Sequence, residues 1–292
     1  MTTTHTGTGI AAAARELWLR TEPLHAVVYF DPECRGLGRT MGLKGFWMGY
    51  FTLRTAPLGP VGPTVAGSAL GVFAPGMVAR TLPAAWEIVP PREALEWRAR
   101  ATADALRRVL PQADRLADAL AGPLTAIVTD APALARPLFA ANRELCGRAD
   151  PVERMWQLLT CLREFRGDAH LAALAHHGLD APEALVLAAA TGRVPAEGIR
   201  LDRGWTETEW ADAGERLRSR GLLDAGGAVT ALGRAERERI EEATDRLAAR
   251  LLHALPEAEW AALLDALAEP AARLRAAGIP PALNPIGLPQ GS

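Results

Sequence analysis

Apolar positions recur along this chain mostly every three or four residues, the spacing of helices that each bury one face. Ile10 to Arg20 predicts a first helix, closed by Thr21-Glu22-Pro23. The apolar run Leu24 to Phe30, bounded by Pro23 and Pro32, reads as another helix, because no convincing strand lies nearby to pair with it. Gly45 to Arg54, Val61 to Phe73 and Gly76 to Trp86 predict further short helices. A long amphipathic one runs from Arg92 to Leu110, opening at a proline as helices often do. Between Pro111 and Asp150 the prolines at 123, 132 and 137 break an Ala-rich stretch into short helices, since Leu124, Ile127, Leu138 and Phe139 need burial. Pro151 opens a helix through Phe165, resumed from Leu171 to His177 after Arg166-Gly167-Asp168. Asp180 caps a helix over Ala184 to Thr191. A last amphipathic helix covers Glu257 to Ala277, and the apolar tail Ile279 to Pro289 is expected to dock on the body.

One stretch predicts something other than plain helix. Thr206 and Glu209 form a capping box, Trp210, Ala213 and Leu217 share one face, and Gly221 supplies the stop. Leu222-Leu223 and Ala228-Val229 flank a Gly226-Gly227 turn, the pattern of a small β-hairpin. The order helix, Arg-Gly-Leu-Leu, hairpin, Val-Thr-Ala-Leu-Gly-Arg, long helix resembles the winged-helix half of a MarR-type regulator. The expected fold is therefore mainly α: a helical, aromatic-rich domain over residues 1–150, a winged-helix domain over 151–256 with one short β-hairpin, and a C-terminal helix and tail over 257–292. That resemblance makes the helix from Thr206 a recognition helix, whose N-terminal half would meet base edges. Here that half carries Glu207, Glu209, Asp212 and Glu215, and the arginines wait for the last turn. Such an order suits the helix dipole and opposes a phosphate backbone, so DNA is not an expected partner and the module reads as scaffold.

At 292 residues the chain has room for two ordinary cores. Its net charge of −2 leaves no global basic footprint for nucleic acid. Cys34, Cys146 and Cys161 are widely spaced and imply neither a zinc knuckle nor a disulfide framework. The N-terminus lacks the blocks of a signal peptide, and no apolar run is long enough to span a bilayer, so a cytoplasmic location is expected.

Several phrases resemble a family of actinomycete proteins described as SalK-like or helix-turn-helix. They are Pro23-Leu-His-Ala-Val-Val-Tyr-Phe, Gly45-Phe-Trp-Met-Gly-Tyr-Phe, Ala56-Pro-Leu-Gly-Pro-Val, Leu162-Arg-Glu-Phe-Arg-Gly-Asp-Ala-His, Arg203-Gly-Trp and Asn284-Pro-Ile-Gly-Leu. The resemblance implies no particular activity. Two departures, Phe165 where a His is expected and the run Gly71-Val-Phe-Ala-Pro75, imply an emptier and more apolar pocket.

Candidate chemistry falls in three groups. His25 and Tyr29 are one turn apart, a general acid/base pair or a hydrogen-bonded core pair; with Tyr50 they are the catalytic candidates. Trp47, Tyr50, Phe51 and Arg54 follow one helical stripe beside Phe46, an aromatic wall ending in a cation. With Phe73, Arg80 and Trp86 it fits an aromatic or apolar organic ligand bearing an anionic group, because arginine binds carboxylates bidentately. Plain packing explains the same stripe. Glu164, Asp168 and His170 form a secondary candidate, either acid/base groups or members of a salt-bridge knot with Arg163 and Arg166; no metal and no cofactor are expected. The functional expectation is a small-molecule-binding protein, in its enzymatic form a cofactor-independent acid/base catalyst of specialised metabolism. The alternative is a MarR-like, ligand-responsive transcriptional regulator. Either is compatible with a homodimer and neither involves a membrane.

Overall fold

The computed structural model describes residues 7–289. Fifteen α-helices account for most of them: α1 Gly7–Phe30, α2 Pro32–Thr40, α3 Gly45–Thr55, α4 Pro63–Leu70, α5 Pro75–Ala79, α6 Ala84–Ile88, α7 Pro91–Val109, α8 Ala113–Asp130, α9 Pro137–Arg143, α10 Pro151–His176, α11 Ala181–Ala190, α12 Ala196–Asp202, α13 Glu207–Ser219, α14 Ala231–Ala248 and α15 Glu257–Ala276. Among the described residues no helix is long and apolar enough to cross a membrane.

The long helix α10 is the axis of the fold. It packs against α1, α7, α8, α9 and α14. Trp156, Phe165, Phe139, Leu24, Leu106 and Leu124 are fully buried around it, and truncating one of them to Ala costs about 2–5 kcal/mol. Asp150 starts the helix by accepting from the amides of Val152 and Glu153, with Pro151 at the first helical position. The helix runs on through Gly167, so the Arg166-Gly167-Asp168 break expected from the sequence is absent.

The predicted break at Pro23 is absent too, because α1 continues through it to Phe30. Proline supplies no N–H for the carbonyl four residues earlier. That carbonyl, on Leu19, accepts from Arg275 Nη2 of α15 at 2.7 Å instead. A partner from the far end of the chain thus replaces the lost helical bond.

The winged helix is not formed. Among the described residues there is no strand, and Leu223 and Val229 meet in one isolated antiparallel bridge. Local bonds explain why the hairpin goes no further. Asp224 accepts from Ala228 N at 2.9 Å through its side chain, Gly227 N bonds Asp224 O, and Thr230 already caps α14 by accepting from Gly233 N. The segment between α13 and α14 is consumed by a turn and a cap, and a two-stranded hairpin that short is marginal by itself.

Two other details position the working parts. The backbones of α2 and α3 touch at Gly38 and Gly49, where a Cβ on Gly38 would lie 2.9 Å from Gly49 Cα. In the tail Ile279, Asn284 and Leu288 are buried, and Asn284 bonds both the carbonyl and the amide of Leu288.

Candidate ligand cavity

A cavity of about 240 Å³ lies beside the C-terminal half of α10. Its walls come from α1, α3, α4, α9, α10, α11, α12, α14 and the tail residues Pro285, Ile286 and Gly287. Leu70, Leu171, Leu185, Val194 and Ile199 make it apolar in part. Its polar lining is unbalanced, with six arginines (Arg54, Arg163, Arg166, Arg193, Arg203, Arg237) against four carboxyl groups (Glu22, Glu164, Asp168, Glu241).

Arg54 reaches the cavity from the last turn of α3, whose stripe Trp47, Tyr50, Phe51 packs in a continuous aromatic cluster with Phe46 and Phe73. Its Nη1 donates to Tyr50 Oη at 3.0 Å and its Nη2 to Glu164 Oε2 at 3.4 Å. Arg163 Nη1 donates to that same oxygen at 2.6 Å. Burial opposes ionisation of Glu164, but Arg163 and Arg54 outweigh it and hold the carboxyl at about 2.

Arg203 enters from the turn after α12. That turn is fixed by Ala74 N donating to Arg203 O at 2.8 Å and Trp205 Nε1 to Val72 O at 3.1 Å. The guanidinium lies 4.7 Å from the Phe73 ring centroid and gives one N–H to Pro285 O of the tail. Arg54 Nε, Arg203 Nε and Arg237 Nη1 are buried donors with no hydrogen-bond partner. All three belong to arginines lining this cavity.

On α14, Glu241 faces Arg237 at 2.5 Å, Arg166 at 3.5 Å and Arg193 at 3.7 Å. Burial works against its charge, yet these cations and His170 keep its carboxyl at about 2. Arg166 also pairs with Asp245 at 2.6 Å. His170 shares a 3.0 Å hydrogen bond with Thr244, and burial lowers its imidazole to about 4. Asp168 accepts from Phe139 N at 3.0 Å and so caps α9; burial raises its carboxyl to about 6, that bond opposing and Glu164 assisting.

The structure brings Tyr50, Arg54, Phe73, Glu164, Asp168 and His170 to one cavity. It places the other candidates elsewhere. His25 is buried between Thr160 Oγ1 at 3.1 Å and Tyr29 Oη at 3.3 Å, stacked on Trp156. Burial lowers its imidazole well below the usual value. Tyr29 touches Tyr50 ring to ring, 5.3 Å between centroids, and with Phe46 lines a separate cavity of about 20 Å³. Trp47 and Phe51 lie behind Tyr50, Trp86 bonds Val61 O, and Arg80 is exposed at the end of α5. No group of three or more His, Cys, Asp or Glu among the described residues is placed to hold a metal ion. The two sequence departures act differently from expectation. Phe165 packs on Phe139 under the Arg136 guanidinium, away from the cavity, and the room left by Gly71 is taken by Leu171.

Arg193, Arg203 and Arg237 were not evident from helical spacing. From two of the phrases that carried the resemblance, Arg203 and Pro285-Ile-Gly287 lie on the cavity wall, as does most of Leu162 to His170.

The C-terminal helices form a compact helical unit, α11 packing on α12 and α13 and touching α14. The Thr206–Glu209 capping box is present as predicted. Glu207, Glu209, Asp212 and Glu215 are all exposed on α13. Its arginines are engaged, Arg216 with Asp180 and Glu183, Arg218 with Glu215. No curated protein and no solved structure matches the chain. A family model described as "Helix-turn-helix family" matches residues 14–281, and the chain belongs to that family.

Proposed function

We propose that this protein binds a small organic anion, an apolar or aromatic molecule carrying a carboxylate, in the cavity beside α10. The reading rests on the excess of arginine over carboxyl groups in the cavity lining, six against four. A carboxylate seated beside these guanidinium groups offsets that excess through charge-assisted bonds. Tyr50 and Phe73 supply the aromatic surface against which the body of the ligand lies. If the bound molecule is turned over, Asp168 is the group to exchange its proton, because a carboxyl at about 6 is partly ionised near neutral pH. Calorimetric titration with benzoate, naphthoate and octanoate tests the reading. Micromolar binding that Arg203→Leu abolishes supports it, and heat of dilution alone across the series overturns it.

A second reading, a ligand-responsive DNA-binding regulator of the MarR-like or SalK-like kind, draws on the family description. The exposed acids of α13 weigh against it, since binding DNA at physiological salt requires several phosphates to be neutralised. A salt-dependent, nanomolar mobility shift with DNA from upstream of the protein's own coding sequence would favour this reading.

A further inference from the structure

Cys146 and Cys161 are free thiols whose sulfurs lie 3.6 Å apart. Cys161 is wholly buried on α10. Cys146 follows α9 in the segment that leads to α10, and it is only half-buried. The next residue, Gly147, is exposed with open space around it. A disulfide needs its sulfurs at about 2.05 Å, so the two must close by roughly 1.5 Å. Cys161 is fixed in the core, whereas the segment from 144 to 150 contains no helix. Cys146 is therefore the partner that can move.

Their surroundings give the two thiols different chemistry. With Cys161 as donor, the hydrogen bond between them lowers the Cys146 thiol, burial opposes this, and the Arg143 guanidinium assists. Burial holds Cys161 well above its ordinary value, and the neighbouring Cys146 adds to the effect. The thiolate is the attacking species in exchange, and the accessible sulfur of this pair is the one that ionises more readily. Cys34 is buried too, but its Sγ donates to the carbonyl of Ala101 at 3.5 Å.

We propose that Cys146 and Cys161 are a redox pair which a low-molecular-weight disulfide converts into an intramolecular disulfide, Cys146 attacking first and Cys161 resolving. Cys146 Sγ, having released its proton, bonds to one sulfur of the small disulfide, whose S–S bond breaks to expel a thiolate. Cys161 then loses its proton and attacks Cys146 Sγ, and the second small thiolate leaves. Two protein thiols are oxidised, one small disulfide is reduced to two thiols, and the two protons released by the protein end on them. The new bond would fasten the end of α9 to α10 beside Asn142 and Gln157, which Arg98 bridges.

The test incubates the reduced, folded protein with excess oxidised glutathione, alkylates it and maps tryptic peptides without reduction. Cleavage after Arg143, Arg148, Arg154 and Arg163 places the two cysteines in peptides 144–148 and 155–163. These are expected to appear joined, with two free thiols lost and Cys34 still alkylated. Cys161→Ala is expected to keep one glutathione on Cys146, and Cys146→Ser to leave Cys161 unmodified. Circular dichroism reports whether the variants are folded, and the map of the unaltered protein depends on neither. Unjoined peptides, a glutathione adduct that persists on Cys146 of the unaltered protein, or a disulfide between two chains overturns the pairing. Modification of Cys161 in folded Cys146→Ser as fast as in the parent overturns the order of attack.

Discussion

Arg54 of α3 and Glu164 of α10 meet at 3.4 Å across 110 residues of chain, while Arg54 Nε faces no acceptor at all. Arg163 sits closer to the same carboxylate, at 2.6 Å. Arg54 is thus the looser partner of an already neutralised acid. Arg54→Leu is expected to weaken benzoate or octanoate binding at least about tenfold. It should lower stability by only about 1–2 kcal/mol, because Glu164 keeps Arg163; this is less than for breaking an isolated buried pair. Calorimetry and thermal melts read the two separately. A large drop in melting temperature with unchanged affinity would mean that Arg54 is only a core strut.

Asp168 and His170 make opposite demands on pH. The Asp168 carboxyl is raised from 3.8 to about 6, so its contribution is lost as pH rises through that window. The His170 imidazole is lowered from 6.5 to about 4, so its contribution is lost as pH falls through a nearly coincident window. Relative to the parent, Asp168→Asn should gain stability from pH 4 to 6, by about 2 kcal/mol. His170→Gln should gain as pH falls from 6.5 to 4. Denaturant melts across that range check both, and parallel curves for variant and parent would refute the assignment.

Arg275 and Pro23 should be energetically coupled. Arg275→Ala strands the Leu19 carbonyl and is expected to cost about 1–3 kcal/mol. In a Pro23→Ala background the restored amide can bond Leu19 itself, and the same change should cost measurably less. A double-mutant cycle with no coupling would show that α1 tolerates Pro23 for another reason.

Gly71→Ala should be strongly destabilising. The residue has φ of +75°, and a Cβ there would collide with the Leu171 side chain. Pairing it with Leu171→Ala relieves the collision but not the backbone strain, so partial recovery in a thermal melt is the expected result.

Helix positions were legible because capping and proline signals act locally. Pro91, Pro151, Asp180 and Thr206 start helices where their chemistry says they should. Local signals misled wherever a distant residue intervened. Nothing within Thr21-Glu22-Pro23 reveals that Arg275 will satisfy Leu19; at Gly226 the error was local, because Thr230 caps α14 instead of extending a strand. The cavity was legible in part for the same reason. Tyr50 and Arg54 share a stripe that period alone displays, and Phe73 stood among the aromatic candidates beside it. Arg193, Arg203 and Arg237 come from three separate segments and converge only through tertiary packing. His25 and Tyr29 illustrate the reverse case, a suggestive spacing realised as a buried hydrogen bond on the far side of the aromatic cluster.

The seam where Gly38 meets Gly49 gives the cavity a remote fulcrum. Arg54 and its aromatic backing ride on α3, and α3 rests on α2 with no side chain to cushion the contact. One added methyl at either glycine would act as a wedge, tilting the whole segment and carrying the guanidinium away from Arg203 while every cavity residue kept its identity. Substitutions that abolish binding should therefore arise in two unconnected places, among the arginines and along a glycine seam that no ligand atom reaches.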